Sequence, residues 1–440
     1  MQPTSVIGLS LKELDTPSLI VDRPALLRNL ARLMDSVKGT RVRVRAHAKS
    51  HKCPALAQLQ IQHGAVGICC QKVSEAQVFA QAGIQNILVS NEVVGAAKIS
   101  RLLALAQQAD LTVCVDHVDN ALALSQAFVR AGVRNNKTAS ASRQGHGGVV
   151  TPLKVLVEID VGQGRCGVPP GAPAVALIQA ITQMPGLSFQ GLQAYHGTAQ
   201  HLRLPSERRA AIDKACAQVR DTITRLQALG IACPIVAGAG TGSYLLEAGS
   251  GIYNEIQPGS YVFMDADYQR NQAKDNQAQE HPVENFRGQH AGPTSAEFEQ
   301  SLFVWSLFVW AGVMSRPTPE RAVVDAGLKA FSVDSGLPQV YGLPGVEYIK
   351  ASDEHGVLRI TTEGTVLNGI PSGQTIIGQQ TSGTPIGSQS PYGTNLKLGD
   401  KLRIVPGHCD PTVNLYDQLF VVEDDMVVDV WPIAARGALY

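Results

Sequence analysis

The stretch Arg41-Val42-Arg43-Val44-Arg45-Ala46-His47-Ala48-Lys49-Ser50-His51-Lys52 is the key to the rest of the chain. Arg41-Val42-Arg43-Val44 alternates polar and apolar side chains, which predicts a strand following a helix. The strand runs out into a loop at Lys49. A lysine so placed can serve as a buried amine nucleophile that forms a Schiff base with an aldehyde, pyridoxal phosphate being the usual one. The same residues also read as a basic, solvated strand end, and this segment alone leaves both readings open.

Working outward, Asp22-Arg23-Pro24 predicts a helix start, with Asp22 as cap and Pro24 in the first turn. Short apolar, β-branched runs predict strands near Arg41–Ala48, Ala65–Cys70, Asn86–Ser90, Leu111–Asp116, Lys154–Val161, Gly191–Tyr195, Ile235–Gly238 and Glu255–Phe263. Helical periodicity falls between them at Ser74–Ala80, Ala96–Gln108, Ala121–Ala131 and Arg208–Leu229. Eight strand–helix units in roughly 250 residues match a (β/α)8 TIM-type barrel, with a doubly wound sheet as the alternative.

In a barrel, the C-terminal strand ends form the active face. Lys49, Gln71, Arg165, Tyr195 and His196 fall at such ends, as does Gly238-Ala239-Gly240-Thr241-Gly242; Tyr261 lies in the region of the eighth strand. The glycine-rich segment after the seventh strand sits where barrels commonly bind phosphate through backbone N–H groups, so Gly240, Thr241 and Gly242 are candidate cofactor contacts. Gly162-Gln163-Gly164-Arg165-Cys166-Gly167 matches a dinucleotide fingerprint in spacing only. Pro169-Pro170-Gly171 interferes with an immediate helix, and no carboxylate follows near Thr182–Gly186.

The 37 basic and 37 acidic residues balance, which argues against nucleic acid or a membrane surface as partner. Met1–Ser5 begins no signal peptide, and the apolar run Leu302–Met314 falls short of the ~18 residues of a membrane span. The eight cysteines form no C-x-x-C pair, so reduced thiols and a cytoplasmic location are expected.

The expected domains are an N-terminal segment at 1–23 joining a β-domain, a cofactor-binding barrel at 24–266, a polar insertion at 267–300 and a β-rich domain at 301–440. Polar stretches at 135–148 and 373–393 read as loops. Ser301-Leu302-Phe303-Val304-Trp305 is repeated at once as Ser306–Trp310. An odd repeat length reverses the faces, so either a bulge absorbs it or one copy leaves the sheet. In Pro406-Gly407-His408-Cys409-Asp410, residues two apart on a strand would share a face. His408 and Asp410 could then grip a cation such as Mn²⁺ or Mg²⁺ while Cys409 points away, and a structural turn is the other reading. Asp353-Glu354-His355-Gly356 is a further polar turn, supporting that site or capping a hairpin.

Together, His47-x-Lys49-Ser50-His51-Lys52, Gln193-Ala194-Tyr195-His196-Gly197, Gly238–Gly242, Asp353–Gly356 and Pro406–Asp410 resemble the D-threonine aldolase family. That family is related to D-serine dehydratase, to 3-hydroxy-D-aspartate aldolase and, more distantly, to alanine racemase. The resemblance runs from about Leu14 to Val421, apart from the polar insertions. Ser50 stands where the family usually has Thr, and Ala46 where it has Pro. The resemblance implies a fold-type III pyridoxal-phosphate enzyme, a homodimer of barrel plus β-domain, with Lys49 as Schiff-base lysine and His408 and Asp410 as metal ligands. Cleavage of a D-3-hydroxy amino acid to glycine and an aldehyde is then expected, with His196 as candidate base for the hydroxyl proton. A dehydratase of D-serine or D-3-hydroxyaspartate is the alternative. Because the second ligand in the D-serine dehydratase pattern is Cys, Asp410 favours the aldolase. A non-catalytic pyridoxal-phosphate homeostasis protein is a further reading; such proteins lack the β-domain and the H-x-D site.

Overall fold

The computed structural model describes residues 6–133, 151–272, 303–361 and 396–440. The polar loops expected at 135–148 and 373–393, and the insertion from 273 onward, lie outside these residues.

The chain begins with β1 (Ser18–Asp22) and α1 (Arg23–Ser36). Asp22 caps α1, its carboxylate accepting the Ala25 N–H at 2.9 Å, and Leu26, Leu30 and Leu33 form the buried stripe. Parallel strands then alternate with helices: β2 (Arg43–Val44), β3 (Ala46–His47), α2 (Pro54–Gln62), β4 (Ile68–Cys70), α3 (Val73–Gln81), β5 (Asn86–Glu92), α4 (Ala96–Leu105), β6 (Asp110–Val115), α5 (Val118–Arg130) and β7 (Leu153–Glu158). They continue as α6 (Ala172–Gln183), β8 (Leu187–Gln193), α7 (Pro205–Ala228), β9 (Ile235–Gly238), α8 (Tyr244–Gly249), β10 (Glu255–Ile256) and α9 (Ala266–Gln269).

The strand order is β2-β10-β9-β8-β7-β6-β5-β4-β3. β2 and β3 are halves of one strand separated by Arg45, so β2 on β10 and β3 on β4 close the sheet into the eight-stranded barrel. The eighth strand is shorter than the sequence suggests. It ends at Ile256, and Ser260–Val262 forms a 3₁₀ turn.

Barrel strands are covered on both faces, which explains their unbroken apolar runs. Ile87, Val89, Val113, Val155 and Val157 pack outward under the helices, whereas Cys69, Leu88, Cys114 and Leu156 form a separate inner cluster. All eight cysteines are free thiols. At the seam, buried Arg45 donates to Glu255 at 2.7 Å and to Asn86 at 2.7 Å, joining the first strand to the last.

The second sheet contains β11 (Leu307–Thr318), β12 (Arg321–Val324), β13 (Gln339–Val340), β14 (Val346–Ala351), β15 (Gly356–Ile360), β16 (Lys401–Val405), β17 (Gln418–Glu423) and β18 (Met426–Pro432). Its order is β14-β15-β12-β11-β1-β17-β18, with β16 pairing β11 and β13. β1 thus lies between β11, antiparallel, and β17, parallel. The pentapeptide repeat resolves by one copy leaving the sheet. Leu307–Trp310 of the second copy enters β11, while Phe303 of the first packs on Tyr244 and Tyr261. Asp353–Gly356 is the turn between β14 and β15, closed by the Ser352 N–H on the His355 carbonyl.

Candidate active site

Lys49 sits in a 3₁₀ turn, Ala48–Ser50, directly after β3. His47 shapes the turn: its Nδ1 accepts the Lys49 N–H at 3.4 Å, and its carbonyl accepts the Ser50 hydroxyl at 3.1 Å. The turn aims Lys49 across the barrel mouth, where its Nζ lies 3.6 Å from Asp410 Oδ2.

His408 and Asp410 do not lie on a strand, contrary to the sequence expectation. β16 ends at Val405, and Cys409–Val413 forms a short helix, α10, with His408 at its N-cap and Asp410 in the first turn. Nor does Cys409 point away. Its buried thiol donates to Asp410 Oδ1 at 3.3 Å, and Ser260 donates to the same oxygen at 3.2 Å. The Cys409 N–H is held by buried Asp265 at 2.9 Å. His408 Nδ1 is 2.8 Å from Asp334 Oδ2, which leaves Nε2 as its other coordinating atom.

The charges reinforce one another. Burial opposes ionisation of Asp410, but Lys49 and then His408 outweigh it and hold the carboxyl below its usual range. The Lys49 ammonium is likewise disfavoured by its surroundings, yet Asp410 and then Tyr195 hold its pKa up. For His408, burial is outweighed by Asp410 and the Asp334 hydrogen bond, so its pKa is raised. His47 is pushed well down, by burial and then by Lys49, and stays neutral.

Gln71 and Ser90 meet His47 Nε2 at 3.2 and 3.1 Å. The Arg165 guanidinium lies 5.9 Å from the Tyr195 ring centre, and both residues bear electrostatically on Lys49. The glycine segment packs on a turn carrying Gln200. A Cβ at Gly240 would come within 2.6 Å of Gln200 Oε1, and the Gly242 N–H donates to that oxygen at 2.9 Å. Thr241 accepts the Tyr261 N–H at 3.0 Å. Tyr261 therefore reaches the loop through its backbone, while its ring is buried and its hydroxyl meets Gln60 at 3.2 Å. His196 has different neighbours. Its ring lies over Gly162, Asp160 and Lys214 are the charges that bear on it, and burial lowers its pKa. Its buried Nδ1 has no hydrogen-bond partner among the described residues.

The G-x-G-x-x-G segment is no dinucleotide loop. The N–H groups of Gly162, Gln163 and Gly164 all donate to the Asp160 carboxylate, and the next helix starts only at Ala172.

Sequence reasoning missed two features. Asp334 lies in a loop, with nothing in its neighbourhood to link it to His408. The second is a carboxylate cluster: ligand atoms of Glu92, Asp116 and Cys166 lie within 4.8 Å of one another. Beside it, burial and then Glu92 push Glu158 up to about 8. Each carboxylate ends or follows a barrel strand, the signal that could have found it.

Residues 21–267 match the family described as "Alanine racemase, N-terminal domain", and 306–422 match "Putative serine dehydratase domain". The chain is 41% identical to D-threonine aldolase of Arthrobacter sp., over 99% of this chain and 97% of that one. It is 43% identical to 3-hydroxy-D-aspartate aldolase of Paracoccus denitrificans (strain Pd 1222), over 98% and 95%. The crystal structure of D-threonine aldolase from Filomicrobium marinum superimposes with a TM-score of 0.79 at 41% identity, covering 99% of each chain. D-threo-3-hydroxyaspartate dehydratase from Delftia sp. HT23, at 24% identity and TM-score 0.71 over 96% and 98%, shares the fold. Similar to these aldolases along its full length and sharing their fold, this chain belongs to the D-threonine aldolase family of fold-type III pyridoxal-phosphate enzymes.

Proposed function

We propose that the protein is an aldehyde-lyase that cleaves D-3-hydroxy amino acids of the D-threonine type to glycine and an aldehyde, using pyridoxal phosphate and a divalent metal. The observation that carries this reading is the meeting of Lys49 with Asp410 beside a histidine whose far nitrogen is already engaged.

The residues fit both groups. Lys49 projects into the mouth as the amine that would anchor the cofactor. Gln71, Arg165, Tyr195, the Gly240-Thr241-Gly242 segment and Tyr261 are the residues that would hold its ring and phosphate. Bound there, pyridoxal phosphate supplies an electron sink for the pair released when Cα–Cβ breaks. His408 Nε2 and the Asp410 carboxylate offer the imidazole–oxygen donor set suited to Mn²⁺ or Mg²⁺, and the Asp334–His408 hydrogen bond is the usual support of a ligating imidazole. A metal held there would lower the pKa of the substrate β-hydroxyl.

The chain's own residues then do the following. Asp410 and His408 orient the hydroxyl end of the substrate. Neutral His196 would accept the hydroxyl proton as the carbonyl of the departing aldehyde forms. The proton that completes glycine at Cα comes from a donor at the mouth, for which Lys49 is nearest to hand.

A carboxylate at position 410 supports aldolase over D-serine dehydratase chemistry, as does the greater similarity to the aldolases, since the D-threo-3-hydroxyaspartate dehydratase is 26% identical. The reading includes the expected domain division, with a barrel to about residue 266 holding the cofactor and the β-rich part from 301 bringing the metal ligands. It also includes a cytoplasmic homodimer with no nucleic-acid or membrane partner. No helix among the described residues is long and apolar enough to cross a membrane.

The test is product analysis after incubation with D-threonine, D-serine and D-3-hydroxyaspartate. Glycine and acetaldehyde from D-threonine, with L-threonine untouched, are expected. 2-Oxobutanoate and ammonia as the main products would replace this reading with a dehydratase.

A further inference from the structure

Lys52 carries a charge that the proposed chemistry does not use. It is 8% exposed and follows the Lys49 turn with φ 50°, in the left-handed region that a lysine seldom adopts. Backbone held this way marks places where the surroundings over-determine a side chain's direction. Its ammonium donates to Asn414 Oδ1 at 3.0 Å and lies 3.3 Å from Glu75 Oε1. Glu75, also buried, uses its other oxygen to accept the N–H groups of Gln71 and Lys72 at 2.8 and 3.0 Å. The Lys52 carbonyl accepts the Ala435 N–H at 3.0 Å.

The geometry repeats itself. Lys49 and Lys52 stand three residues apart on one tight turn. Asp410 and Asn414 stand four apart on α10 and its C-cap, hence on one face of the helix. Lys49 faces Asp410, and Lys52 faces Asn414. A cofactor bound to Lys49 would take that lysine out of the first contact. The second contact would remain.

We propose that Lys52, braced by Glu75, clamps Asn414 and thereby fixes α10 so that Asp410 meets the metal. Lys52 and Asn414 are positioning residues, and the inference rests on the reading of Asp410 as a metal ligand.

The test is Mn²⁺ titration of metal-stripped, cofactor-loaded protein, with free Mn²⁺ followed by electron paramagnetic resonance. The variants are Asn414→Ala, which removes the acceptor, and Lys52→Met/Glu75→Gln, which removes the buried pair together so that no lone charge remains. Each should weaken Mn²⁺ binding by about 10-fold, the lower end for loss of a group that supports a ligand. The visible cofactor band should persist, and turnover should return at higher Mn²⁺. Lys52→Arg should recover part of the affinity. If the double variant does not fold, Asn414→Ala alone decides. Wild-type Mn²⁺ affinity in the clamp variants, with binding lost in Asp410→Ala, would overturn the clamp. Wild-type affinity in Asp410→Ala as well would overturn the metal site, and the clamp with it.

Discussion

Lys49 Nζ and Asp410 Oδ2 stand 3.6 Å apart, one carried by the turn that ends a barrel strand and the other by a short helix that follows the second sheet. Each sustains the ionised form of the other, so the amine proposed to anchor the cofactor and the carboxylate proposed to hold the metal form one electrostatic unit.

Lys49→Ala should abolish the visible absorbance of bound cofactor and all turnover. Borohydride treatment followed by peptide mapping checks the assignment. A cofactor adduct on a different lysine at the native site would show that the amine had been misassigned.

His408→Ala and Asp410→Ala should behave alike, losing turnover but retaining the cofactor band. Strong chelation of the wild type should have the same effect, reversed by Mn²⁺. Asp334→Asn weakens the brace on His408 and should lower metal affinity by roughly 10- to 100-fold. Cys409→Ser keeps a donor on Asp410 and should be mild. Full activity in metal-free protein with a chelator present would remove the metal from the scheme.

His196→Ala should slow D-threonine cleavage by ~10²–10⁴, the usual range for a general base, with the visible cofactor band unchanged. A loss of only a few-fold would move the proton to another acceptor.

The barrel was legible because doubly covered strands advertise themselves. Ile68-Cys69-Cys70 and Val155-Leu156-Val157 are continuous apolar runs, and the active end follows from strand direction alone. The metal motif was legible as composition but not as geometry. His408-Cys409-Asp410 reads as easily as a strand end as a helix start. The signals that decide it are Asp410 in the first turn and Pro411 just after it. Lys52 looked like one more base in a basic run, because its partners Glu75 and Asn414 are distant in sequence. Tyr261 reads in the sequence as part of the eighth strand, whereas the 3₁₀ turn at Ser260–Val262 directs its ring into the core.

Glu247 gives a pH dependence with a definite sign. It is 1% exposed beneath the glycine loop, where Ser243 donates to it at 2.7 Å and Gln200 donates to Ser243 at 2.7 Å. Burial raises its pKa from 4.5 to about 7. Between those values the folded protein keeps a proton that the unfolded chain has released, so stability falls as pH rises through the window and levels off above it. Glu247→Gln should therefore be the more stable protein at pH 8, by up to about 3 kcal/mol, with the advantage vanishing near pH 4.5. Thermal unfolding across that range, at fixed cofactor saturation, checks the sign.

Arg45→Met should destabilise the barrel by about 3 kcal/mol because Glu255 stays buried. The cost lies at the low end because Arg43 also reaches Glu255 at 3.3 Å. Arg45→Met/Glu255→Leu should recover much of the loss in denaturant unfolding.

The position of β1 bears on how the protein is made. Its neighbours are β11 and β17, so a segment made before the barrel completes its pairing only after the strands that follow the barrel have emerged. Throughout synthesis of the barrel, Ser18–Asp22 has both edges open, and such an edge is a template for pairing with another chain. Ile20-Val21-Asp22 must wait for Phe420-Val421-Val422. Nascent chains stalled before residue 418 should accordingly be the ones that chaperones hold.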